Sequence, residues 1–269
     1  MQSALDDLFG HYFELLEADT PELRDEVFRL RYQVYCLETG FEDKEQFPDG
    51  RERDPFDSLA RYALVRRRGS NVAVATVRLV GADLSREDTV FPLEQPYPGL
   101  LAARGFGPDK LPRGTTAEIS RFAISRQFKR RVGEPGTLAG VSEANVDGGV
   151  DPRACPSDRR AEPFIIMGLF KAIFRLSIEN GYTHWVAAME PALLRLLSRF
   201  GIKFVRIGAP ITFHGTRQPC MGCLGEMYDS VYRSRRDVWN FVTECGRLRP
   251  RRAPGKAICV QDASIRAAG

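Results

Sequence analysis

The segment TAEISRFAIS, residues 116–125, constrains the fold more than any other part of the sequence. Its apolar residues are typical of a buried β-strand, yet Glu118 and Arg121 lie among them. Burying an unpaired charge costs several kcal/mol, so each of the two needs a partner elsewhere in the chain. Strict alternation sends them to opposite faces because their separation is odd. Either Glu118 precedes the regular strand, or a β-bulge turns both side chains to one face, and bulges are common next to active sites.

The composition is that of an ordinary globular protein. A length of 269 residues suits one large domain or one domain with insertions, and 43% hydrophobic with 28% charged residues allows a sizeable core. A formal net charge of +4 is no nucleic-acid signature by itself. Basic residues do form clusters, each of which is either a solvated face or a docking site for an acidic partner. The clusters are Arg126 with Lys129, Arg130 and Arg131, then Arg233, Arg235 and Arg236, then 247–256.

Sequence signals for the cell compartment favour the cytoplasm. The N-terminal segment carries Asp6 and Asp7 instead of the basic start of a signal peptide. No apolar run approaches the roughly 18 residues that a membrane span needs. Six cysteines in a chain of this length do not make a disulfide scaffold. We therefore expect reduced thiols and a cytoplasmic protein.

The predicted elements follow the order helix, hairpin, strand, helix, strand, helix, strand. That order describes one α/β sheet with an antiparallel start and a βαβ-like second half. The elements are the helix PELRDEVFRLRYQVYCLE after Thr20, the hairpin ARYALVRRRGSNVAVATVRLV, the strand AEISRFAI, the helix EPFIIMGLFKAIFRLSIENG, the strand THWVAAM, the helix PALLRLLSRFG, the strand KFVRIGAPITF and a short last helix SRRDVWNFVTEC.

We expect a single domain over residues 1–246, followed by a loose basic tail over 247–269. Residues 81–115 are irregular and rich in Gly and Pro, and residues 132–162 lack a hydrophobic period, so both are predicted insertions. No G-x-x-x-x-G-K-[ST] motif exists, and GFG at 105–107 lies in a predicted loop. Nucleotide-binding folds with those phosphate loops are therefore disfavoured.

The sequence RERDPFD, residues 51–57, carries three carboxylates. Glu52 and Asp54 share a face of an extended chain, and Asp57 follows a turn at Pro55. Because Asp-Pro often starts a turn, the segment is either an ordinary acidic loop or a site where carboxylates converge on a cationic ligand or on arginines.

Two arginines outside that loop are candidate partners. Arg31 lies one helical turn before Tyr35, and Arg78 lies inside the apolar strand VAVATVRLV. A buried arginine needs a carboxylate because its guanidinium keeps its proton; alternatively, Arg78 reaches water at the strand end. A buried network of four acids and three bases indicates a polar ligand site. Its members are Arg31, Glu52, Asp54, Asp57, Arg78, Glu118 and Arg121.

Five motifs, taken in order, resemble the acyl-homoserine-lactone synthases, which are LuxI-type autoinducer synthases with a GNAT-like acyltransferase fold. The motifs are LRYQVY, Phe41, ERDPFD, ATVRLV and AEISRFAI. The family pattern is R-x-x-x-[FY], an aromatic residue ten positions after that arginine, E-x-D-x-x-D, a strand arginine and E-x-x-R. The matching residues are Arg31, Tyr35, Phe41, Glu52, Asp54, Asp57, Arg78, Glu118 and Arg121. The resemblance covers roughly residues 25–125.

One branch of these enzymes is favoured. Tyr35 and Phe41 stand where the synthases usually have Phe and Trp, and this chain is longer. The longer form, with FRLRYQVYCLE, is similar to the acyltransferases associated with PEP-CTERM/exosortase systems, which are related to the N-acyl amino acid synthases. The resemblance implies an α/β (α+β) protein with a GNAT-like acyl-CoA N-acyltransferase fold, whose central mixed sheet has splayed strands and is flanked by helices.

The implied activity is N-acyl transfer. A fatty acyl group moves from an acyl thioester, either acyl-carrier protein or acyl-CoA, to the amino group of a small amino acid-like acceptor, with no permanently bound cofactor. One alternative is an acyl-homoserine-lactone synthase that uses S-adenosylmethionine; a non-enzyme alternative is an acyl- or nucleic-acid-binding module. The GNAT pyrophosphate loop, Q/R-x-x-G-x-G/A, is incomplete in RRVGEPG, which favours a carrier protein as donor.

The resemblance also implies a role for each site residue. Glu118 and Arg121 are the catalytic residues, with Glu118 as the base that takes the proton of the amine. Substrate-binding residues are Arg31, Tyr35, Phe41, Glu52, Asp54, Asp57 and Arg78; pantetheine-binding residues are Ser120, Phe122, Ile124 and Arg126; carrier-protein docking residues are Lys129, Arg130 and Arg131. Residues 164–173 and Trp185 are either walls of an acyl tunnel or core residues.

Two cysteines and two histidines carry weaker signals. Cys220 and Cys223 form one C-x-x-C with His214 upstream, but a structural zinc needs four ligands and no second pair has suitable spacing. A redox pair is no better supported. His184 lies in an apolar strand and is expected to be a core histidine with a hydrogen-bond partner.

Overall fold

The structure, a computed structural model, describes residues 3–85, 89–96, 98–103, 111–128 and 161–251. The strands are β1 (Phe13–Glu17), β2 (Ala60–Arg67), β3 (Ala73–Gly81), β4 (Thr116–Ile124), β5 (His184–Met189), β6 (Val205–Arg206), β7 (Ile211–Thr212) and β8 (Thr216–Cys223). They form a sheet with the order β1-β2-β3-β4-β5-β8-β6, and β7 pairs with β8. Only β4 and β5 pair in parallel; the other described pairs are antiparallel.

Helices flank the sheet. They are α1 (Ala4–Tyr12), α2 (Pro21–Tyr32), α3 (Leu100–Ala103), α4 (Glu162–Glu179), α5 (Pro191–Arg199), α6 (Leu224–Ser234) and α7 (Arg236–Val242), and a π-helical segment, Gln33–Glu38, continues α2. The start of α2 follows the prediction, because Thr20 Oγ1 accepts a hydrogen bond from the Leu23 N–H and Pro21 occupies the first turn. Within the described ranges, no helix has the length and apolar composition that would cross a membrane.

Most long elements confirm the sequence prediction, and one prediction in the C-terminal part is wrong. KFVRIGAPITF is not one strand, because Gly208 and Pro210 separate β6 from β7 and proline has no N–H to pair. The long strand of this region is β8, which contains the C-x-x-C motif. Helices α1 and α6 and strand β1 were not predicted either.

The two largest of the three apolar clusters among the described residues lie on opposite faces of the sheet. The larger cluster packs α4, α1 and α7 against the strands, and Ile165, Leu169 and Ile173 of α4 are fully buried in it. The smaller cluster packs Val27, Leu30 and neighbours of α2 against the other face. The face that carries α2 also carries the charged residues described below.

Strands β4 and β5 separate part-way along their length. Their parallel pairing runs from Thr116 opposite His184 to Ile119 opposite Ala187, whereas β4 continues to Ile124. The predicted splay is therefore present, and the β5-facing edge of β4 beyond Ile119 has no strand partner in the described ranges.

The predicted β-bulge lies in β4 at the same place. Arg78 pairs with Ser120 while Thr76 pairs with Ala123, so β4 has one residue more than β3 over this interval. Arg121 occupies the bulge with a φ of 47°. The extra residue brings Arg121 to the α2 face, where Glu118 and Ser120 also lie.

Candidate active site

A cavity of about 460 Å³ opens where β4 and β5 part. Its polar lining includes Tyr35, Glu42, Asp54, Glu118, Ser120 and Arg121 on one side, and Glu190, His214 and Arg217 on the other. Its apolar lining includes Ile119, Phe122, Met189, Leu193, Ile211 and Phe213. The cavity therefore combines charged groups with an apolar region of the kind that an acyl chain requires.

Glu118 and Arg121 both line this cavity, as the bulge hypothesis predicts. Arg121 Nη2 lies 3.0 Å from Glu52 Oε1, 3.2 Å from Asp54 Oδ2 and 3.3 Å from Glu42 Oε1. Its guanidinium also lies 5.0 Å from the centre of the Tyr35 ring. Burial alone would lower the pKa of Arg121, but the charge of Glu52 outweighs burial and raises it. Arg121 thus remains a permanent cation held by three carboxylates.

Behind this layer, Arg31 is fully buried between two carboxylates. Its Nε lies 2.5 Å from Glu52 Oε2, and its Nη1 lies 2.7 Å from Asp57 Oδ1. Burial would raise the pKa of Glu52, but the charges of Arg31 and Arg121 lower it to about 2. The pKa of Asp57 is lowered for the same reason, by Arg31 and Arg78 acting against burial.

Arg78 joins the same layer to the cavity wall. Its Nη1 lies 2.6 Å from Asp54 Oδ1 and 2.7 Å from Asp57 Oδ1, and its Nε donates a hydrogen bond to Ser120 Oγ at 3.1 Å. Tyr62 donates a further hydrogen bond to Asp57 Oδ1 at 2.9 Å. The arginine of β3 therefore fixes the RERDPFD loop and the bulged strand relative to each other.

Five of the predicted substrate-binding residues lie outside the lining of this cavity. Arg31, Phe41, Glu52, Asp57 and Arg78 were predicted to bind substrate, but none of them lines the cavity. The four charged members form ion pairs with one another. Phe41 stacks on His214 with ring centres 5.4 Å apart. They form a supporting layer. The cavity wall itself contains the other two predicted substrate-binding residues, Tyr35 and Asp54.

Glu118 has the most perturbed carboxyl group at the cavity. It is only 3% exposed, and its Oε2 accepts a hydrogen bond from the Leu93 N–H at 2.7 Å. Burial raises its pKa to about 8, although the Leu93 hydrogen bond and the charges of Arg78 and Arg121 oppose that rise. A carboxyl group with a pKa near neutrality can exchange a proton with a reacting amine.

Two of the four predicted pantetheine-binding residues line the cavity. Ser120 and Phe122 line the cavity. Ile124 does not, because its side chain is fully buried in the main core. Arg126 also points elsewhere, since its backbone N–H and guanidinium both donate to Glu38. The predicted docking residues lie outside the described residues; they are Lys129, Arg130 and Arg131.

The predicted acyl-tunnel residues belong to the core. Residues of α4 between Phe164 and Ile173 lie in the main apolar cluster and do not line the cavity. Trp185 is fully buried and donates from Nε1 to Ser177 Oγ at 2.8 Å. Their burial agrees with the core-packing alternative.

Sequence reasoning missed the opposite wall of the cavity. Glu190 follows β5, Arg217 lies in β8, and Arg217 Nη1 lies 3.2 Å from Glu190 Oε1. His214, in the turn before β8, places Nε2 3.2 Å from Glu42 Oε1. Two sequence features could have indicated this wall: the charged residue directly after WVAAM, and the arginine in the segment TRQPCMGC. The second segment was interpreted only as a cysteine motif.

The remaining candidates take no part in the cavity. Cys220 is a buried free thiol, Cys223 is a free thiol as well, and neither lines the cavity. No group of three or more potential metal ligands lies together in the described part of the chain. His184 is a core residue whose Nδ1 lies 2.9 Å from Thr183 Oγ1, as predicted.

Comparisons with known proteins agree with this geometry. Residues 30–137 match the family described as Acetyltransferase (GNAT) domain. That part of the chain is similar to a GNAT-type acyltransferase domain. The matched residues include the supporting layer and the bulged strand β4, and the enzyme interpretation is therefore the supported one over a binding module. A search of curated protein sequences gives no match.

Three solved structures share the fold. FeeM, an N-acyl amino acid synthase from uncultured soil microbes, superposes with a TM-score of 0.52 at 17% identity over 81% of this chain and 93% of that chain. The AHL synthase LasI superposes with a TM-score of 0.54 at 18% identity over 82% of this chain and 95% of that chain. BjaI, a CoA-dependent acyl-homoserine lactone synthase with SAM and isopentyl-CoA, superposes with a TM-score of 0.52 at 18% identity over 87% of this chain and 88% of that chain. At such identities the likeness establishes the GNAT-like fold.

Proposed function

We propose that this protein transfers a fatty acyl group from an acyl thioester to the amino group of a small amino acid-like acceptor. The observation that carries the proposal is Glu118, a buried carboxyl group with a pKa of about 8 that lines the cavity at the β4–β5 splay. The similarity to FeeM, an N-acyl amino acid synthase, supports the same reaction class.

The thioester donor lies, in this proposal, along the open edge of β4. Its pantetheine arm contains amide groups, and the backbone of β4 beyond Ile119 has no partner strand on the β5 side in the described ranges. Buried backbone N–H and C=O groups require partners, so the amide-bearing arm takes the place of a strand. The acyl chain then extends over the apolar lining near Phe122 and Leu193.

The reaction is an aminolysis of the thioester. The amine nitrogen attacks the carbonyl carbon, a C–N bond forms, and the C–S bond breaks as the tetrahedral intermediate collapses. Glu118, as a carboxylate, accepts the proton that the nitrogen loses, and the leaving sulfur takes up a proton to become a free thiol. Backbone N–H groups at the bulge stabilise the oxyanion, while Arg121 and its carboxylates hold the bulge in place.

The finer assignments rest on the sequence. The incomplete pyrophosphate loop favours acyl-carrier protein over acyl-CoA as donor, and the longer form relates the enzyme to the acyltransferases of PEP-CTERM/exosortase systems. The alternative product is an acyl-homoserine lactone made from S-adenosylmethionine. The fold shared with the synthases LasI and BjaI supports this alternative. The acceptor panel below includes both kinds of amine.

A thiol-release assay tests the proposal. Purified protein is mixed with palmitoyl-CoA or palmitoyl-carrier protein and with each common amino acid or S-adenosylmethionine, and products are identified by mass spectrometry. We expect free thiol and an N-acyl amino acid in stoichiometric amounts. A lactone with S-adenosylmethionine would establish the alternative. Absence of free thiol with every donor–acceptor pair would contradict N-acyl transfer.

Glu118→Gln tests the base. Glutamine still accepts the Leu93 hydrogen bond but cannot take a proton, so kcat should fall by about 100-fold or more. The wild-type kcat/KM should rise with pH to a plateau above pH 8, in line with the Glu118 pKa, and this inflection should be absent in the variant. Glu45→Gln, at an exposed glutamate that does not line the cavity, is the control. Unchanged turnover in Glu118→Gln would remove Glu118 from the mechanism.

A further inference from the structure

Arg217 combines deep burial with an unused hydrogen-bond donor. The residue is only 6% exposed and lines the cavity. Its Nη1 is engaged by Glu190 Oε1 and by the Thr216 carbonyl, each at 3.2 Å, but its buried Nη2 has no hydrogen-bond partner among the described residues. A buried guanidinium N–H without a partner is unfavourable, so this donor is suited to a ligand atom.

The other arginines of the site differ in this respect. Arg31 Nη2 and Arg78 Nη2 also lack hydrogen-bond partners among the described residues, but neither side chain lines the cavity. Arg121 lines the cavity, but its Nη2 already faces carboxylates of the supporting layer and of Glu42. Arg217 is thus the cavity-lining arginine, within the described ranges, that presents an unpaired buried nitrogen.

The sheet register places Arg217 on the same face as Glu118. Glu118 pairs with Val186 in β5, and Glu190 follows four residues later, so Glu118, Val186 and Glu190 share one face. The β5–β8 register pairs Ala188 with Pro219, which sets Arg217 opposite Glu190. The backbones of Glu118 and Arg217 are offset by about 13 Å along the strands. Both long side chains line the same cavity.

We propose that Arg217 Nη2 binds the carboxylate of the acceptor, so that the enzyme acylates amines that carry a free carboxylate. This inference rests on the proposed N-acyl transfer. Glu190 orients the guanidinium by holding Nη1, and Nη2 keeps its donor capacity for the ligand.

The test compares matched acceptors that differ only in this group. Each amino acid is assayed beside its carboxamide, with palmitoyl-CoA or palmitoyl-carrier protein as donor and thiol release as readout. In the wild type, kcat/KM should favour the amino acid. Arg217→Gln should raise KM for the amino acid about 10- to 100-fold and leave the carboxamide nearly unaffected, so the preference disappears.

Two further variants keep the test decisive. Arg217→Gln combined with Glu190→Gln removes both buried charges together, and we expect it to fold and to show the same loss of preference. Arg206→Gln, at an exposed arginine on the neighbouring β6, should keep the wild-type preference. Turnover with an unchanged amino acid-to-carboxamide ratio in the Arg217 variants would overturn this inference alone. No thiol release by the wild type with any acceptor would overturn the proposed function, and this inference with it.

Discussion

Arg121 combines an unfavourable backbone conformation with three carboxylate contacts. Its φ of 47° lies in the left-handed region, which is unfavourable for residues with a Cβ. His214, on the opposite wall of the cavity, has a φ of 52°. Strained backbone of this kind persists where the surroundings determine it, and it is common at active sites. Here the ion pairs of Arg121 with Glu52 and Asp54 are what hold the bulge.

Two substitutions at Arg121 separate the backbone from the charge. Arg121→Ala and Arg121→Gly both remove the guanidinium and its ion pairs, but only glycine adopts a positive φ without strain. We expect the glycine variant to be more stable than the alanine variant by about 1 kcal/mol. Urea-induced unfolding measures the difference. Equal stability of the two variants, or a more stable alanine variant, would contradict the strain at this position.

Part of the site could be predicted from the sequence residue by residue. The motif order identified every member of the charged network around Arg31 and Arg78, because each residue type stands at a family position. It did not predict that these two arginines lie behind the wall, since no pattern tells which carboxylate takes which guanidinium. Arg217 and Glu190 were missed because their pairing depends on the β5–β8 register.

At the scale of elements, α1 packs on α4 through one close approach. A Cβ built on Gly168 of α4 would overlap the Phe9 ring of α1. In contrast, Gly10 of α1 has no atom within 4 Å of its Cβ position and does not have a positive φ. The same substitution should therefore have opposite effects at the two sites.

Gly168→Ala and Gly10→Ala form the matched pair. We expect Gly168→Ala to destabilise the protein by about 1–3 kcal/mol because Phe9 must move within a packed core. Gly10→Ala should stabilise it by about 0.5–1 kcal/mol through the higher helix propensity of alanine. Thermal and urea denaturation measure both. Destabilisation by Gly10→Ala, or none by Gly168→Ala, would contradict this docking of α1 on α4.

Elements with long regular patterns were predictable from sequence. The periodicity of α4 and the alternation in the β2–β3 hairpin predicted both correctly. Strand β8 was missed because TRQPCMGC contains proline, glycine and two cysteines and has little intrinsic strand preference. Its pairing with β5 stabilises it, and such long-range pairing cannot be read from local sequence.

For the whole molecule, the charged groups make stability depend on pH in two opposite ways. The folded-state pKa of Glu52 is about 2, below its ordinary 4.5, so its contribution is present above pH 4.5 and is lost as the pH falls towards 2. The folded-state pKa of Glu118 is about 8, above its ordinary 4.5, so the native state holds the proton more tightly and stability falls as the pH rises from 4.5 to 8.

The free energy of unfolding should therefore be highest near pH 5. We expect it to fall by roughly 2–4 kcal/mol between pH 5 and 8 because of Glu118, and to fall again below pH 4.5 because of Glu52. Glu118→Gln should remove the fall on the alkaline side and leave the acid side unchanged. Urea unfolding at a series of pH values measures both. A variant that keeps the wild-type alkaline fall would contradict the raised pKa of Glu118.

The splay between β4 and β5 has a consequence for how this enzyme could be redesigned. In the proposed arrangement, the donor is recognised by bare backbone on β4, whereas the acceptor is recognised on the opposite wall by Arg217 of β8, which Glu190 orients. Recognition by backbone does not change when a side chain is replaced. Libraries confined to residues 211–217 should therefore yield new amine preferences while the donor and its chemistry stay the same.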